Sequence, residues 1–93
     1  MTVRLHPHAR ERLSERGATE EEVRKAVEAG EQFPAKFGRS GFRKSSQFES
    51  TWQARFYDTK EVEAIAVREG EDWLVITVVT RYHQITGRSE TKR

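Results

Sequence analysis

The chain has 93 residues, 34% of them hydrophobic and 34% charged, with 17 Lys and Arg against 15 Asp and Glu and a net charge of +2. That is one domain with a modest core, and the lack of cysteine excludes disulfides, Cys-ligated metals and thiol catalysis. The longest apolar run, Trp73 to Ile76 carried through Thr77 to Val79, falls far below the ~18–20 residues of a membrane span. No apolar stretch of signal-peptide type opens the chain, so the expectation is a cytoplasmic protein with no membrane partner.

The front third reads as helical. Leu5, Ala9 and Leu13 recur at four-residue spacing, Pro7 suits a first helical position, and Gly17 suits the left-handed position after a helix. Thr19 then stands as an N-cap with Glu22 in the capping-box slot, and Glu20, Glu21 and Glu22 crowd the first turn, where the helix dipole favours anions. Val23, Ala26 and Val27 form the apolar stripe, and Gly30 ends it. These signals predict helices over roughly 7–16 and 19–30.

From Glu31 the period changes to two. Strands are expected at Gln32–Phe37 and Phe42–Phe48, separated by a turn at Gly38–Gly41. Trp52, Ala54 and Phe56 alternate with polar neighbours as a third strand, Asp58-Thr59-Lys60 reads as a turn, and Val62–Val67 as a further strand. Glu69–Asp72 closes it before Trp73–Thr80, whose two faces are both apolar. Such a strand belongs inside a sheet, with helices on one face and a loop, the tail or a second subunit on the other. The predicted fold class is α+β, with two N-terminal helices packed on a four- to five-stranded antiparallel meander. One domain is expected over 1–83 and a flexible tail over 84–93.

Charge is segregated along the chain. Residues 15–31 are acidic, 34–60 basic, 61–73 acidic and 81–93 basic. This pattern either makes a dipolar surface that attracts phosphate or merely solvates exposed faces.

Three groups of residues carry candidate chemistry. His8, Arg12 and Arg16 follow one another at i, i+4, i+8, so neighbours touch along a helical ridge. An imidazole beside fixed guanidinium charges suits a phosphodiester: the imidazole moves a proton and the cations offset charge on oxygen. The competing reading makes Arg16 a helix-end cation, Arg12 an ion-pair partner of acids across the turn and His8 a buried or cap-region side chain. The pair His6 and His8 lacks a third ligand at fixed spacing, so no metal site is assigned. No cofactor is expected.

The second group is Lys36, Arg39, Arg43 and Lys44, interleaved with Phe37, Phe42 and Phe48. Cations beside rings suit single-stranded nucleic acid, with phosphates on the cations and bases on the rings. Equally, the rings are core residues and the cations lie solvated behind them. The third group is Arg81, Tyr82 and His83 at the end of the last strand, a cation, a phenol and an imidazole in three residues. Alternation puts Arg81 on the face of Trp73, Val75 and Val79, where it must lie at the rim or be paired. The set supports metal-independent phosphoryl transfer on RNA, or it is a polar strand end meeting water.

At these residues the chain resembles a known family. His8-Ala9-x-x-Arg12-Leu13-x-x-Arg16-Gly17, a following Thr-Glu-Glu-Glu-Val helix, and the ending Val75-Ile76-Thr77-Val78-Val79-Thr80-Arg81-Tyr82 are similar to a widespread bacterial domain family of unknown function. At the level of fold the chain also resembles small toxin ribonucleases of the RelE and barnase-like group. That second resemblance implies RNA cleavage without metal by scattered Arg, Lys, Tyr and His, whose chemical types here are Arg43, Lys44, Arg55, Arg81, Tyr82 and His83. The expectations are therefore an RNA-directed protein with His8, Arg12, Arg81, Tyr82 and His83 as catalytic candidates. Lys36, Arg39, Phe42, Arg43, Lys44 and Arg55 are the candidate RNA-binding residues. The alternative is a non-catalytic adaptor or antitoxin-like module, which pairs with a cognate protein or with itself through the sheet.

Overall fold

The computed structural model describes residues 2–84. A short strand β1 (Val3–Leu5) opens the chain, followed by helices α1 (Pro7–Glu11), α2 (Leu13–Arg16) and α3 (Glu20–Ala29). Strand β2 (Glu31–Pro34) leads through a 3₁₀ turn (Lys36–Gly38) into β3 (Ser40–Trp52), β4 (Arg55–Glu69) and β5 (Asp72–His83). The five strands form one sheet in the order β1-β5-β4-β3-β2.

The class is α+β, as the periodicity implies, but the sheet is mixed. Strands β2 to β5 form the expected antiparallel meander, whereas β1 pairs parallel to β5 with Val3 opposite Trp73 and Leu5 opposite Val75. Three residues are too few to display a period, so this strand is silent in the sequence. It is held by long-range bonds: Trp73 N–H donates to the Thr2 carbonyl (2.9 Å) and His6 N–H to that of Val75 (2.8 Å).

The first predicted helix is broken at Arg12, which caps α1 and leads into α2. The His6 imidazole accepts from the His8 N–H at 3.1 Å and so caps the start of α1. Gly17 takes the left-handed conformation (φ 74°) after α2. The capping box of α3 is complete, with Glu22 N–H donating to Thr19 Oγ1 (3.1 Å) and Thr19 N–H to Glu22 Oε1 (3.0 Å).

The expected turn at 58–60 lies instead at Gln53-Ala54, so one long hairpin replaces three short strands. Both turn residues have positive φ, 51° and 68°. The alternation of Trp52, Ala54 and Phe56 does not mark a buried face, because a two-residue hairpin turn falls in its middle; Phe56 is largely exposed.

Helix α3 lays Val23, Ala26 and Val27 on one sheet face, over Phe42 of β3 and Val62, Ala64 and Ala66 of β4, and Trp73, Val75 and Val78 of β5 complete the same core under α1 and α2. Ala64 and Ala66 are wholly buried, and their small side chains let the helix approach the sheet. Phe42 meets Trp73 edge-to-face at 5.0 Å. The opposite face carries no helix among the described residues; there Phe33 crosses Gly41 so closely that any Cβ would run into the ring.

A register shift opposite Ile65 leaves Ile76 as an extra residue in β5. The alternation inverts there. Trp73 and Val75 point to the helices before it, and Val78 after it. No helix is long and apolar enough to cross a membrane. The tail expected over 84–93 lies outside the described residues beyond Gln84, whose amide donates to the Phe56 carbonyl at 2.6 Å.

Candidate functional site

The shift in β5 decides where the predicted residues go. Arg81 does not continue the row of Trp73 and Val75, as strict alternation requires. It lies on the open face, 3.1 Å from Glu61 and 2.9 Å from Glu63, and these carboxylates raise its pKa. A guanidinium held by two carboxylates offers little charge to a phosphate. His83 sits on that face too, opposite Thr59.

Tyr82 points the other way, into the molecule. Its ring stacks on Trp52 (5.6 Å between centroids) and packs on Phe48 and Tyr57, at 5.3 and 5.2 Å. Its hydroxyl faces the Arg16 and Gly17 carbonyls, and Thr80 Oγ1 donates to that of Arg16. Burial raises the phenol pKa, with Glu22 and Tyr57 adding to the rise and Thr80 opposing it. Tyr82 therefore holds the end of α2 against the sheet and stays protonated at neutral pH, where a general base would need the phenolate.

The nucleic-acid set also disperses. Phe42 is a core residue, 3% exposed, and has no free ring face on which to stack a base. Arg43 lies on the open face over the Phe33 ring (4.3 Å) with Glu31 at 3.4 Å, whereas its neighbour Lys44 lines a groove under α3. Lys36 and Arg39 flank the 3₁₀ turn, and Arg39 lies 5.5 Å from the exposed Phe37 ring. Arg55 stands beside the hairpin turn at the far end of the sheet. The run of cations in sequence is not a patch in space.

One group does converge. His8, Arg12 and Arg16, with Ala9, line a hollow of about 130 Å³ against Ile76, Thr77 and Val78. The helices bring the three side chains to one ridge, and the irregular stretch of β5 forms the opposite wall. Among the described residues none of the three side chains pairs with a carboxylate, and Arg16 Nε, like Arg43 Nε, is buried without a hydrogen-bond partner. The guanidinium groups of Arg12 and Arg16 on this hollow suit an anion, which each could hold by charge-assisted hydrogen bonds. A larger hollow of about 540 Å³ beside the 3₁₀ turn has Arg39 as its sole ionisable lining residue. The smaller hollow therefore holds the stronger concentration of chemistry.

Sequence reasoning passes over Lys60, which is 4% exposed, donates to the Gly17 carbonyl, and lies 2.8 Å from Glu22. The rings of Phe48 and Tyr82 stand 5.5 and 5.9 Å from its ammonium. The signal was present: Lys60 precedes Val62, Ala64 and Ala66 at the same period of two, which puts it on their buried face. Among the described residues no three His, Asp or Glu side chains gather as a metal site.

No family model, curated protein or solved structure matches this chain.

Proposed function

We propose that the protein is an RNA-directed, cytoplasmic protein of toxin-ribonuclease type, whose phosphate-binding centre is the His8–Arg12–Arg16 ridge. The observation that carries the reading is two guanidinium groups and an imidazole on one hollow, without carboxylate partners among the described residues. In this reading Arg12 and Arg16 offset charge on the non-bridging oxygens and His8 takes the proton of the attacking 2′-hydroxyl. The 2′-oxygen bonds to phosphorus as the bond to the 5′-oxygen breaks, leaving a 2′,3′-cyclic phosphate and a 5′-hydroxyl. Solvent protonates the leaving oxygen and receives the proton from His8. Arg81, Tyr82 and His83 take no part in that step.

The test is a salt titration of binding to a short single-stranded RNA. Two guanidinium contacts give a slope near −1.4 in log K against log salt, at about −0.7 per contact. R12A/R16A should bring it close to zero, while R43A/K44A leaves it unchanged. His8→Ala should abolish the cyclic-phosphate product with binding retained. Absence of binding by the wild type at ~50 mM salt, where attraction is strong, ends the reading.

A second reading, a non-catalytic module that self-associates through the open sheet face, rests on Phe37. This ring is 85% exposed at a positive φ of 62°, beside a hollow of about 420 Å³ that Phe33 and Ile65 help to line. Exposing a large ring in a strained conformation suits a contact residue. Sedimentation of wild type and Phe37→Ser decides it, since a concentration-dependent dimer lost in the variant is required.

A further inference from the structure

We infer that the outer edge of β3, from Lys44 to Gln47, is a docking site for an extended acidic segment of a protein partner, which adds to the sheet as a further strand. Strand β2 covers Ser40–Arg43 and stops, while β3 continues to Trp52. Among the described residues no strand lies outside β3 beyond Arg43, and Lys44, Ser45, Ser46 and Gln47 are all exposed.

The direction of the free groups follows from the pairing of β2 and β3. Ala35 N–H donates to the Arg39 carbonyl at 2.9 Å, and Pro34, opposite Ser40, has no N–H to give. The bonded pairs are then Phe33 with Gly41 and Glu31 with Arg43. Continuing the alternation, Ser45 and Gln47 aim their N–H and C=O groups outward from the same edge. The shift after Gln47, where Glu49 has φ 44°, ends the regular stretch. Such an edge is a template for strand addition, with donors and acceptors alternating at the spacing of another peptide backbone.

A hollow of about 260 Å³ adjoins this edge on the helix side, lined by Glu22, Lys25, Lys44, Ser46 and Val62. Alternate side chains of an added strand would enter it. Glu22 is already engaged by Lys60 (2.8 Å) and by the Thr19 N–H (3.0 Å). Lys25 has an exposed contact of 3.4 Å with Glu21, and among the described residues Lys44 pairs with no carboxylate. An incoming Asp or Glu would therefore meet two ammonium groups, and an incoming Lys would be repelled by them. The two lysines stand at the Lys44 end of the edge, whereas Glu49 lies beyond its other end, its carboxylate 2.8 Å from the Gln47 amide. The pair Lys25 and Lys44 therefore favours a partner strand that carries an acid at that end.

The probe is a synthetic peptide of about ten residues alternating Thr with Glu, long enough to span the window. It is titrated into the full-length protein while amide exchange is followed by NMR. The expected result is protection of the Ser45 and Gln47 amides and affinity lowered about tenfold by Lys44→Glu, with Lys44→Gln intermediate. Methylating alternate peptide nitrogens should abolish binding, since main-chain pairing is then blocked while charge is kept. Equal binding of a Thr-Lys peptide, binding without protection at those amides, or no binding at millimolar peptide overturns the proposal. Protection that rises with protein concentration in the absence of peptide overturns it in favour of self-pairing. RNA binding at the His8–Arg12–Arg16 ridge enters none of these readouts.

Discussion

The Lys60 ammonium lies 2.8 Å from the Glu22 carboxylate and ties the middle of β4 to the first turn of α3. It is a buried charge in a satisfied setting, with a carbonyl, a carboxylate and two ring faces around it. Removing it should leave Glu22 and the Gly17 carbonyl short of a partner. Lys60→Ala is expected to cost about 2–3 kcal/mol, the scale of a charged hydrogen bond lost in a partly desolvated place. Urea unfolding of the two proteins checks the figure.

Gly17 joins two constraints. Its φ of 74° disfavours a side chain, and a Cβ would approach Trp52 Cη2 to 2.9 Å and press on the Tyr82 hydroxyl. Gly17→Ala should therefore destabilise by about 1–3 kcal/mol, from backbone strain and displacement of the aromatic cluster. A fall in the denaturant midpoint at constant m-value is the expected record.

The Gln53-Ala54 turn has the opposite sign. Two consecutive residues with positive φ form the tight hairpin turn for which Asn-Gly is the preferred pair. Replacing Gln53 by Asn and Ala54 by Gly should stabilise by about 0.5–1 kcal/mol, since left-handed strain is relieved at both positions. A higher melting temperature of the double variant tests this.

Tyr82 makes stability sensitive to alkali. Its folded pKa is raised, chiefly by burial, above the ordinary value of 10.0. The folded state thus holds this proton more tightly than the unfolded chain. The contribution is complete below about pH 10 and is lost as pH rises through the folded pKa. Tyr82→Phe should flatten the decline in unfolding free energy between about pH 9 and 11, measured by urea titration at each pH.

Arg81 should matter less than its place in the sequence suggests. Its contacts with Glu61 and Glu63 are on the open face, with the guanidinium side chain 48% exposed. Arg81→Ala is expected to cost less than about 1 kcal/mol and to leave the proposed RNA binding at the ridge unaltered. A loss of RNA affinity in this variant with stability intact would return Arg81 to the site.

Local signals and long-range contacts divide this protein between them. The sequence by itself determined α3 and its ends, because the Thr19–Glu22 capping box and the stripe of Val23, Ala26 and Val27 are made within one helix. The spacing of His8, Arg12 and Arg16 implied a ridge on one continuous helix, but that helix is broken at Arg12, and the hollow they line is closed by β5. Only the tertiary structure decided the rest. Strand β1 exists through bonds to residues some seventy positions away. The hairpin turn rests on two left-handed residues that neither Gln nor Ala announces. The extra residue at Ile76 inverts the alternation on which the positions of Arg81, Tyr82 and His83 depend. A period of two carries no memory of an inserted residue, so one irregularity in β5 sends Arg81 to the open face and Tyr82 inside.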